Sequence, residues 1–395
     1  MNLATTIALG RLFARLAVCL PPGHVWYLAR QMRVSKPHRF AGRLRVNSFF
    51  PPYPGPAFER FLRAVRERAR VPMSVHLAVT DACPFRCPHC SYARRGGAAM
   101  SREKRLAVVG EVKALGTATL GLTGGEPLLA PDLEDLIAAA GPEMATILFT
   151  SGVGLDAARA RRLAEAGLTN LTLGLESADP AAHDRVRGEA GSFAQAQAAA
   201  RAAADAGLYV ALSTVSTREK LRGGGLEALY RLAQAWGAQE LRLVPPIATG
   251  AWAGEASVML TADERADVVR FHREHNRRRD GPTVAALAFL ESAEMFGCGA
   301  GYHHLFIDAS GAVCPCDLTP LEFGRVSEEP LAAIWDRLAE RFPRPRATCL
   351  MGEIAGRIPP GPLPLPREAS EALCPPCAAD GPLPEIHRRL FRAPV

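Results

Sequence analysis

The sequence predicts an α/β protein in which a barrel of parallel strands, full or partial, precedes a smaller cysteine-rich domain. Six short apolar runs alternate with helical patterns through the middle of the chain, and such alternation implies a parallel sheet with right-handed crossovers. Beyond about residue 290 the alternation stops, and six of the ten cysteines follow. We therefore predict three regions: a basic N-terminal extension (1–70), the barrel (71–290) and the C-terminal domain (291–395).

The N-terminal extension carries the positive charge of the protein. Residues 1–70 hold thirteen Lys and Arg against two Glu, although the chain of 395 residues has a net charge of only +7. This excess indicates an anionic partner or surface, unless the extension is a solvated basic arm. Because Arg11 and Arg15 interrupt its apolar residues, segment 1–20 is a poor membrane span, and it lacks the basic start of a secretory signal.

We predict that segment 1–20 forms an amphipathic helix. Its apolar stripe comprises Leu3, Ile7, Phe13, Leu16 and Leu20. A membrane surface would accept such a stripe, so one hypothesis is peripheral membrane contact through residues 1–45. In the alternative hypothesis the helix packs on the protein itself. The proline-rich stretch 21–56 is predicted to be loop, and 57–70 to be helix.

Each predicted barrel strand is a short apolar run. The strands are 74–80, 117–123, 145–151, 171–177, 208–215 and 240–246, and the helices after the first five end near 115, 140, 166, 206 and 236. In such barrels the chemistry gathers at the C-terminal ends of the strands. The residues that directly follow these strands are therefore the candidate site.

A three-cysteine loop follows the first predicted strand. Cys83, Cys87 and Cys90 have the spacing C-x3-C-x2-C. Thiolates hold iron–sulfur clusters, and three of them leave one iron of a [4Fe–4S] cube without a protein ligand. A methionine-type cofactor can chelate that iron and be cleaved there at its sulfonium. The alternative is a zinc site, which would recruit His89, but His89 and the adjacent Cys90 do not easily face one ion.

A glycine-rich turn follows the second predicted strand. In LTGGEP (122–127), Gly124 and Gly125 let the backbone approach a ligand closely, and Glu126 offers an acceptor to a ligand ammonium. This turn and the cysteine loop fall at the same mouth of the barrel. An electron carrier needs no site for a cofactor amine, so the turn argues against a non-catalytic iron–sulfur or zinc protein.

Together these motifs resemble those of radical S-adenosylmethionine (SAM) enzymes, over about residues 72–395. The resemblance implies a partial (β/α)6 TIM-like barrel, a [4Fe–4S] cluster on Cys83, Cys87 and Cys90, and SAM bound to that cluster. At the fourth strand Gly174 and Glu176 replace the serine and aspartate that the family usually has. The residues that the resemblance implies in SAM binding are His89, Gly124, Gly125, Glu126, Ser151, Glu176 and Ser213.

The C-terminal cysteines resemble the auxiliary-cluster domains called SPASM or twitch. A β-hairpin with a turn around Ser310–Gly311 is predicted from the run GYHHLFIDASGAVCPC. Cys314 and Cys349 remain unassigned: either is a replacement for an implied ligand, an acid that faces the substrate, or a buried thiol. A zinc ribbon is the alternative to a cluster. The resemblance implies one auxiliary [4Fe–4S] cluster with the ligands Cys298, Cys316, Cys374 and Cys377.

The expected activity follows from the resemblance. A radical SAM enzyme reductively cleaves SAM to a 5′-deoxyadenosyl radical, which abstracts hydrogen from an unactivated C–H bond. We expect a cytoplasmic enzyme, with electrons from a partner such as flavodoxin or ferredoxin and with no nucleic-acid partner. A peptide is the favoured substrate. The alternative is dehydrogenation or bond formation on a small molecule or lipid at a membrane surface.

Overall fold

The computed structural model describes residues 3–374 and 382–389. The strands β1–β11 are His38–Phe40, Arg43–Arg45, Ser74–Thr80, Thr119–Gly124, Ala145–Thr150, Asn170–Gly174, Tyr209–Val215, Glu240–Val244, Thr283–Ala286, His304–Ile307 and Val313–Cys314. The helices α1–α16 are Leu3–Cys19, Pro22–Gln31, Pro56–Glu67, Arg102–Ala114, Leu133–Ala140, Ala157–Glu165, Pro180–Arg187, Ser192–Asp205, Arg218–Arg222, Gly225–Ala235, Ala262–Arg277, Leu287–Leu290, Leu331–Arg341, Met351–Ile354, Arg367–Leu373 and Glu385–Arg389.

A nine-stranded sheet forms the centre of the molecule, in the order β11-β10-β3-β4-β5-β6-β7-β8-β9. The strands from β10 through β3 to β9 are parallel to their neighbours, and β11 is antiparallel to β10. The six predicted barrel strands correspond to β3–β8, so the predicted α/β partial barrel is confirmed. The boundaries drawn at residues 70 and 290 stay predictions.

The two faces of the barrel strands have different surroundings. In β3, Val75, Leu77 and Val79 are buried in the large apolar cluster that also holds the surrounding helices. His76, whose side chain points to the other face, lines a cavity inside the barrel. Because side chains alternate along a strand, the barrel interior receives every second residue. Polar residues in the middle of these apolar strands are therefore candidates for the cavity wall.

The predicted C-terminal hairpin is confirmed, and it extends the barrel sheet. Strand β10 pairs with both β3 and β11, with Phe306 opposite Cys314. At the tip of the hairpin Gly311 has a φ of 88°, a conformation that favours glycine. Because β10 lies directly beside β3, the hairpin brings the residues after β11 close to the barrel interior.

The N-terminal extension contains more regular structure than the sequence predicts. The first predicted helix is confirmed as α1, but α2 (Pro22–Gln31) forms where we expect loop. Pro22 stands in the first turn of α2, where its missing N–H is not needed for an intrahelical hydrogen bond. Proline clusters therefore mark the start of this helix and do not exclude it.

Helix α1 packs on the protein through a stripe that overlaps the predicted one only in part, since Leu16 and Leu20 belong to both. Its buried residues join an apolar cluster with α3 and with Tyr27 of α2. Leu3 and Ile7 of the predicted stripe are instead 76% and 49% exposed. Within the described residues, every helix is too short or too polar to cross a membrane. The buried residues of α1 and the residue after it are Leu9, Leu12, Leu16 and Leu20.

The segment after α2 closes one end of the barrel. Ser48 donates its N–H and its hydroxyl to the carboxylate of Glu240 at the start of β8, each at 2.6 Å. Tyr209 at the start of β7 donates to the same carboxylate at 3.2 Å, and its ring stacks on His38. The closed end is thus the N-terminal end of the strands, opposite the predicted site.

Candidate active site

The cysteine loop begins directly after β3, as the sequence predicts. Cys83 is exposed, and Cys87 and Cys90 are partly buried. Burial raises the pKa of Cys83 and of Cys87, and the charge of the Cys90 thiol contributes to both shifts. Metal coordination would offset this effect, because a bound metal deprotonates a thiol. Three thiols from one loop, with no fourth protein donor in the motif, fit a [4Fe–4S] cluster with one open iron.

The glycine turn packs its backbone against the start of the cysteine loop. A Cβ atom at Gly124 would collide with the Thr80 carbonyl oxygen, and one at Gly125 with the Ala82 carbonyl oxygen. The Gly125 N–H donates to Thr80 at 2.8 Å, and the Glu126 N–H donates to Ala82 at 2.7 Å. Gly124 also lines the cavity. The two glycines therefore allow the turn to support the cysteine loop from beneath, a role that the sequence did not indicate.

The carboxylate of Glu126 is buried and saturated by hydrogen bonds. Its Oε1 accepts from the Leu128 N–H at 3.0 Å and from the Thr150 hydroxyl at 2.5 Å. Its Oε2 accepts from the Ser151 N–H at 2.8 Å and from the Ser151 hydroxyl at 2.5 Å. Neither Glu126 nor Ser151 is on the cavity wall. Glu126 thus joins the end of β4 to the end of β5, and Ser151 is one of its donors, while the expected contacts of both side chains with the cofactor stay predictions.

Glu176 is the centre of a charge cluster on the cavity wall. Its Oε1 lies 3.1 Å from Nε2 of His89 and 3.1 Å from Nη2 of Arg187, and its Oε2 lies 3.2 Å from Nζ of Lys220. Burial alone would raise the pKa of Glu176, but the hydrogen bond from His89 and the neighbouring charges hold it well below its ordinary value. The predicted residues His89 and Glu176 are therefore partners of each other.

Arg187 connects this cluster to the cysteine loop. Its Nη1 donates to Sγ of Cys87 at 3.5 Å. A Cβ atom at Gly174 would collide with Nη2 of Arg187, so the glycine makes room for the guanidinium. The departures from the family pattern at Gly174 and Glu176 thus have one explanation, since both accommodate Arg187. The sequence analysis did not identify Arg187 and Lys220 as site residues. The unusual residues at Gly174 and Glu176 were the signal that could have indicated Arg187.

Three cysteines meet on the wall of the same cavity at the C-terminal domain. Cys298, Cys316 and Cys349 all line it. A hydrogen bond with Cys349 lowers the pKa of Cys298 to about 6 and is the largest cause that raises the pKa of Cys349. Cys298 lies near Cys349 because its segment pairs with the distant segment around Arg346: the Cys298 N–H donates to the Arg346 carbonyl oxygen at 2.8 Å. Three thiols on one cavity wall fit the donor chemistry of an iron–sulfur cluster.

The structure adds Cys349 to the candidates for the auxiliary ligand set. Cys349 lines the cavity together with Cys298 and Cys316, whereas Cys374 is buried away from the cavity wall, and its role as a ligand stays a prediction. Cys377 lies outside the described residues. Cys314 is buried against Arg95, whose Nη1 donates to its Sγ at 3.5 Å, and it is also absent from the wall.

The cavity between the two groups of thiols has a volume of about 420 Å³. Cys87, Cys90 and Glu176 line one part of it, and Ser213 of β7 also faces it, where it stays a candidate for cofactor binding. A cavity of this size holds a small cofactor together with part of a substrate. The structure therefore brings thiols of both groups and Glu176 to one cavity.

Comparison with known families agrees with this geometry. The sequence model of the Radical SAM superfamily matches residues 77–218, and that of SPASM, an iron–sulfur cluster-binding domain, matches residues 298–350. The PqqA peptide cyclase of Granulibacter bethesdensis is 32% identical over 295 residues, which cover 71% of this chain and 78% of the relative. The PqqA peptide cyclase of Rhodopseudomonas palustris is 31% identical over 300 residues, which cover 72% of this chain and 78% of the relative.

Solved structures share the fold. Streptococcus suis SuiB bound to S-adenosylmethionine has a TM-score of 0.56 at 16% identity, covering 70% of this chain and 69% of that one. Native anSMEcpe with bound AdoMet has a TM-score of 0.53 at 17% identity, covering 67% of this chain and 80% of that one. The family assignment rests on the cyclases, which are over 30% identical along most of their length. The chain belongs to the radical SAM superfamily, as an enzyme with a C-terminal SPASM domain that uses SAM and iron–sulfur clusters.

Proposed function

We propose that this enzyme oxidatively modifies a peptide by hydrogen abstraction. The observation that carries the proposal is the cavity that thiols of both groups line, because a substrate bound there would lie between them. The peptide class is supported by relatives named PqqA peptide cyclase and by the structural similarity to SuiB bound to its precursor peptide SuiA. Its electron donor would be a partner such as flavodoxin or ferredoxin.

The residues of this chain have distinct tasks in that reaction. Cys83, Cys87 and Cys90 would hold the cluster, which supplies the electron that splits SAM into methionine and a carbon radical. Arg187 directs an N–H toward the Cys87 sulfur, and such hydrogen bonds tune the reduction potential of a cluster. Glu176 stays ionised and fixes the positions of Arg187 and His89.

The thiols of the SPASM domain would hold the auxiliary cluster on the cavity wall. Cys298, Cys316 and Cys349 are the described donors for it. Hydrogen abstraction followed by formation of a new bond leaves one extra electron on the substrate. A second redox group beside the substrate can accept that electron, so the arrangement favours a net two-electron oxidation.

Deuterium transfer tests the peptide class. We expect the reduced holoenzyme, given SAM and the low-molecular-weight fraction of deuterium-grown cells that carry this gene, to form deuterated 5′-deoxyadenosine. Protease treatment of the fraction should remove the label, because the abstracted hydrogen comes from a peptide. Mass spectrometry of the nucleoside measures the result. Label that survives the protease would contradict the proposal and favour a small-molecule or lipid substrate.

We also propose that helices α1 and α2 contact an anionic membrane. Leu3, Ile7 and Val18 fall within about 60° of the circumference of α1, at 3.6 residues per turn. Val18 is 82% exposed, and Trp26 of α2 is 62% exposed. Each basic residue near an anionic surface adds about 1 kcal/mol of binding, and the extension is rich in arginine. The exposed stripe and its charge are the two components that interfacial helices combine.

Vesicle co-sedimentation tests this contact. We expect the full-length protein to bind vesicles that contain anionic lipid, and the double variant Val18→Asp, Trp26→Ser to bind them several-fold less, because it lacks two of the exposed apolar residues. Leu129→Ser is the matched control, since Leu129 is 50% exposed in another part of the protein. Equal binding by the double variant and the wild type would contradict membrane contact.

A further inference from the structure

Arg242 places a guanidinium on the cavity wall, and two of its three nitrogen atoms have no acceptor among the described residues. It occupies the middle of β8, is only 5% exposed, and lines the cavity. Its Nε and Nη1 atoms have no hydrogen-bond partner among the described residues. A buried donor that remains unpaired costs about 1–3 kcal/mol. This cost is relieved if a ligand in the cavity supplies the acceptors.

Two aromatic rings hold the guanidinium in place. The Arg242 Cζ atom lies 4.2 Å from the centre of the Phe49 ring and 4.9 Å from that of Phe149. Such contacts use the flat faces of a guanidinium, whereas its N–H groups point outward in its plane. The two rings hold the guanidinium at the cavity wall, and they offer its N–H groups no oxygen acceptor.

The acids near Arg242 do not serve as its hydrogen-bond acceptors. The carboxyl groups whose charges act on it belong to Glu240, Asp317 and Glu291. Glu240 accepts three hydrogen bonds from β7 and from the segment that closes the barrel. Asp317 lies 3.1 Å from Nε2 of His304. Glu291 reaches neither Nε nor Nη1 of the guanidinium.

We infer that Arg242 binds a carboxylate of the substrate inside the cavity. A carboxylate matches the forked donors of arginine and forms two parallel charge-assisted hydrogen bonds with them. The inference rests on the proposed function, because in a peptide this carboxylate is an Asp or Glu side chain or the C-terminus. It assigns a substrate-recognition subsite to the middle of β8. The arginine within the apolar run ELRLV was the sequence signal for it.

Three tripeptides test whether Arg242 binds the carboxylate of an acidic side chain or that of a peptide C-terminus. The probes are Ac-Gly-Glu-Gly-NH2, Ac-Gly-Gln-Gly-NH2 and Ac-Gly-Gln-Gly-OH, titrated calorimetrically into the holoenzyme with SAM bound. We expect at least one carboxylate peptide to bind about tenfold or more tightly than the neutral amide, as charge-assisted pairs require. Preference for the first probe identifies an acidic side chain, and preference for the third identifies a C-terminus.

Variants assign the preference to Arg242. Arg242→Gln and Arg242→Met should lose the preference, and Arg242→Lys should keep part of it, since lysine retains the charge but not the fork. Arg201→Gln is the matched control, because the Arg201 side chain is 87% exposed and pairs with Asp205. Iron content and melting temperature verify that each variant is folded.

Several results would overturn the inference. Equal binding of charged and neutral probes by the wild type, binding of none of them, or a full preference in Arg242→Gln each excludes the subsite. The wild-type comparison needs no variant and decides the question even if the variants do not fold. Protease-resistant deuterium transfer alongside a clear carboxylate preference would remove the peptide function and retain the subsite.

Discussion

Replacing Cys87 with alanine will reduce 5′-deoxyadenosine formation to the level of a reaction without enzyme. Cys87 is one of three thiols on the loop after β3, it lines the cavity, and its sulfur accepts an N–H from Arg187. A cluster that already has one open iron has no spare ligand to replace the lost one. The variant should therefore fail to hold the cluster to which SAM binds.

Anaerobic reconstitution, reduction with dithionite and chromatography of the products measure this effect. Cys19→Ala is the matched control, because Cys19 ends α1 and packs in the N-terminal apolar cluster. We expect the control to form the product at the wild-type rate. Product formation by Cys87→Ala with an unchanged cluster spectrum would refute the assignment of this loop.

Replacing Cys349 with alanine will remove one cluster from the enzyme. The wild type should contain about eight irons per chain, as two [4Fe–4S] clusters require, and the variant about four. The reason is the position of Cys349 beside Cys298 and Cys316 on the cavity wall. Cys298→Ala and Cys316→Ala should have the same effect, since the three thiols act as one donor set.

Iron and sulfide analysis after anaerobic reconstitution checks this prediction. Cys314→Ala is the matched control: Cys314 lies in the β10–β11 hairpin, two residues before Cys316, but it contacts Arg95 and does not line the cavity. It should retain all of the iron. Full iron in Cys349→Ala together with loss in Cys374→Ala would show that the ligand set implied by the sequence was correct and that Cys349 is a bystander.

Local sequence patterns were sufficient to predict the barrel strands and the cysteine loop. Strands β3–β8 correspond to the six apolar runs because burial on both faces of a parallel sheet produces such runs. The loop of Cys83, Cys87 and Cys90 could be predicted because its ligands are neighbours in the chain. The hairpin of β10 and β11 was predictable for the same reason, since its turn lies between its strands.

Contacts between distant segments could not be predicted in this way. Cys349 joins Cys298 because the chain near Arg346 pairs with it, and no periodicity reports such a pairing. The sequence predicted a cofactor contact for the Glu126 carboxylate, and it did not indicate the donors at the end of β5 that the carboxylate accepts from. Gly174 was recognised as a departure from the family, and only packing showed that it accommodates Arg187.

The sequence by itself thus determined the fold class, the cluster loop and the enzyme family, because each depends on residues that are close together in the chain. The tertiary structure decided which thiols line one cavity, which carboxylates are already saturated, and that two nitrogen atoms of Arg242 stay unpaired among the described residues beside that cavity. The physical reason is that a hydrogen bond or a ligand set depends on distances in space. Those distances are fixed only when the strands, the hairpin and the extension pack together.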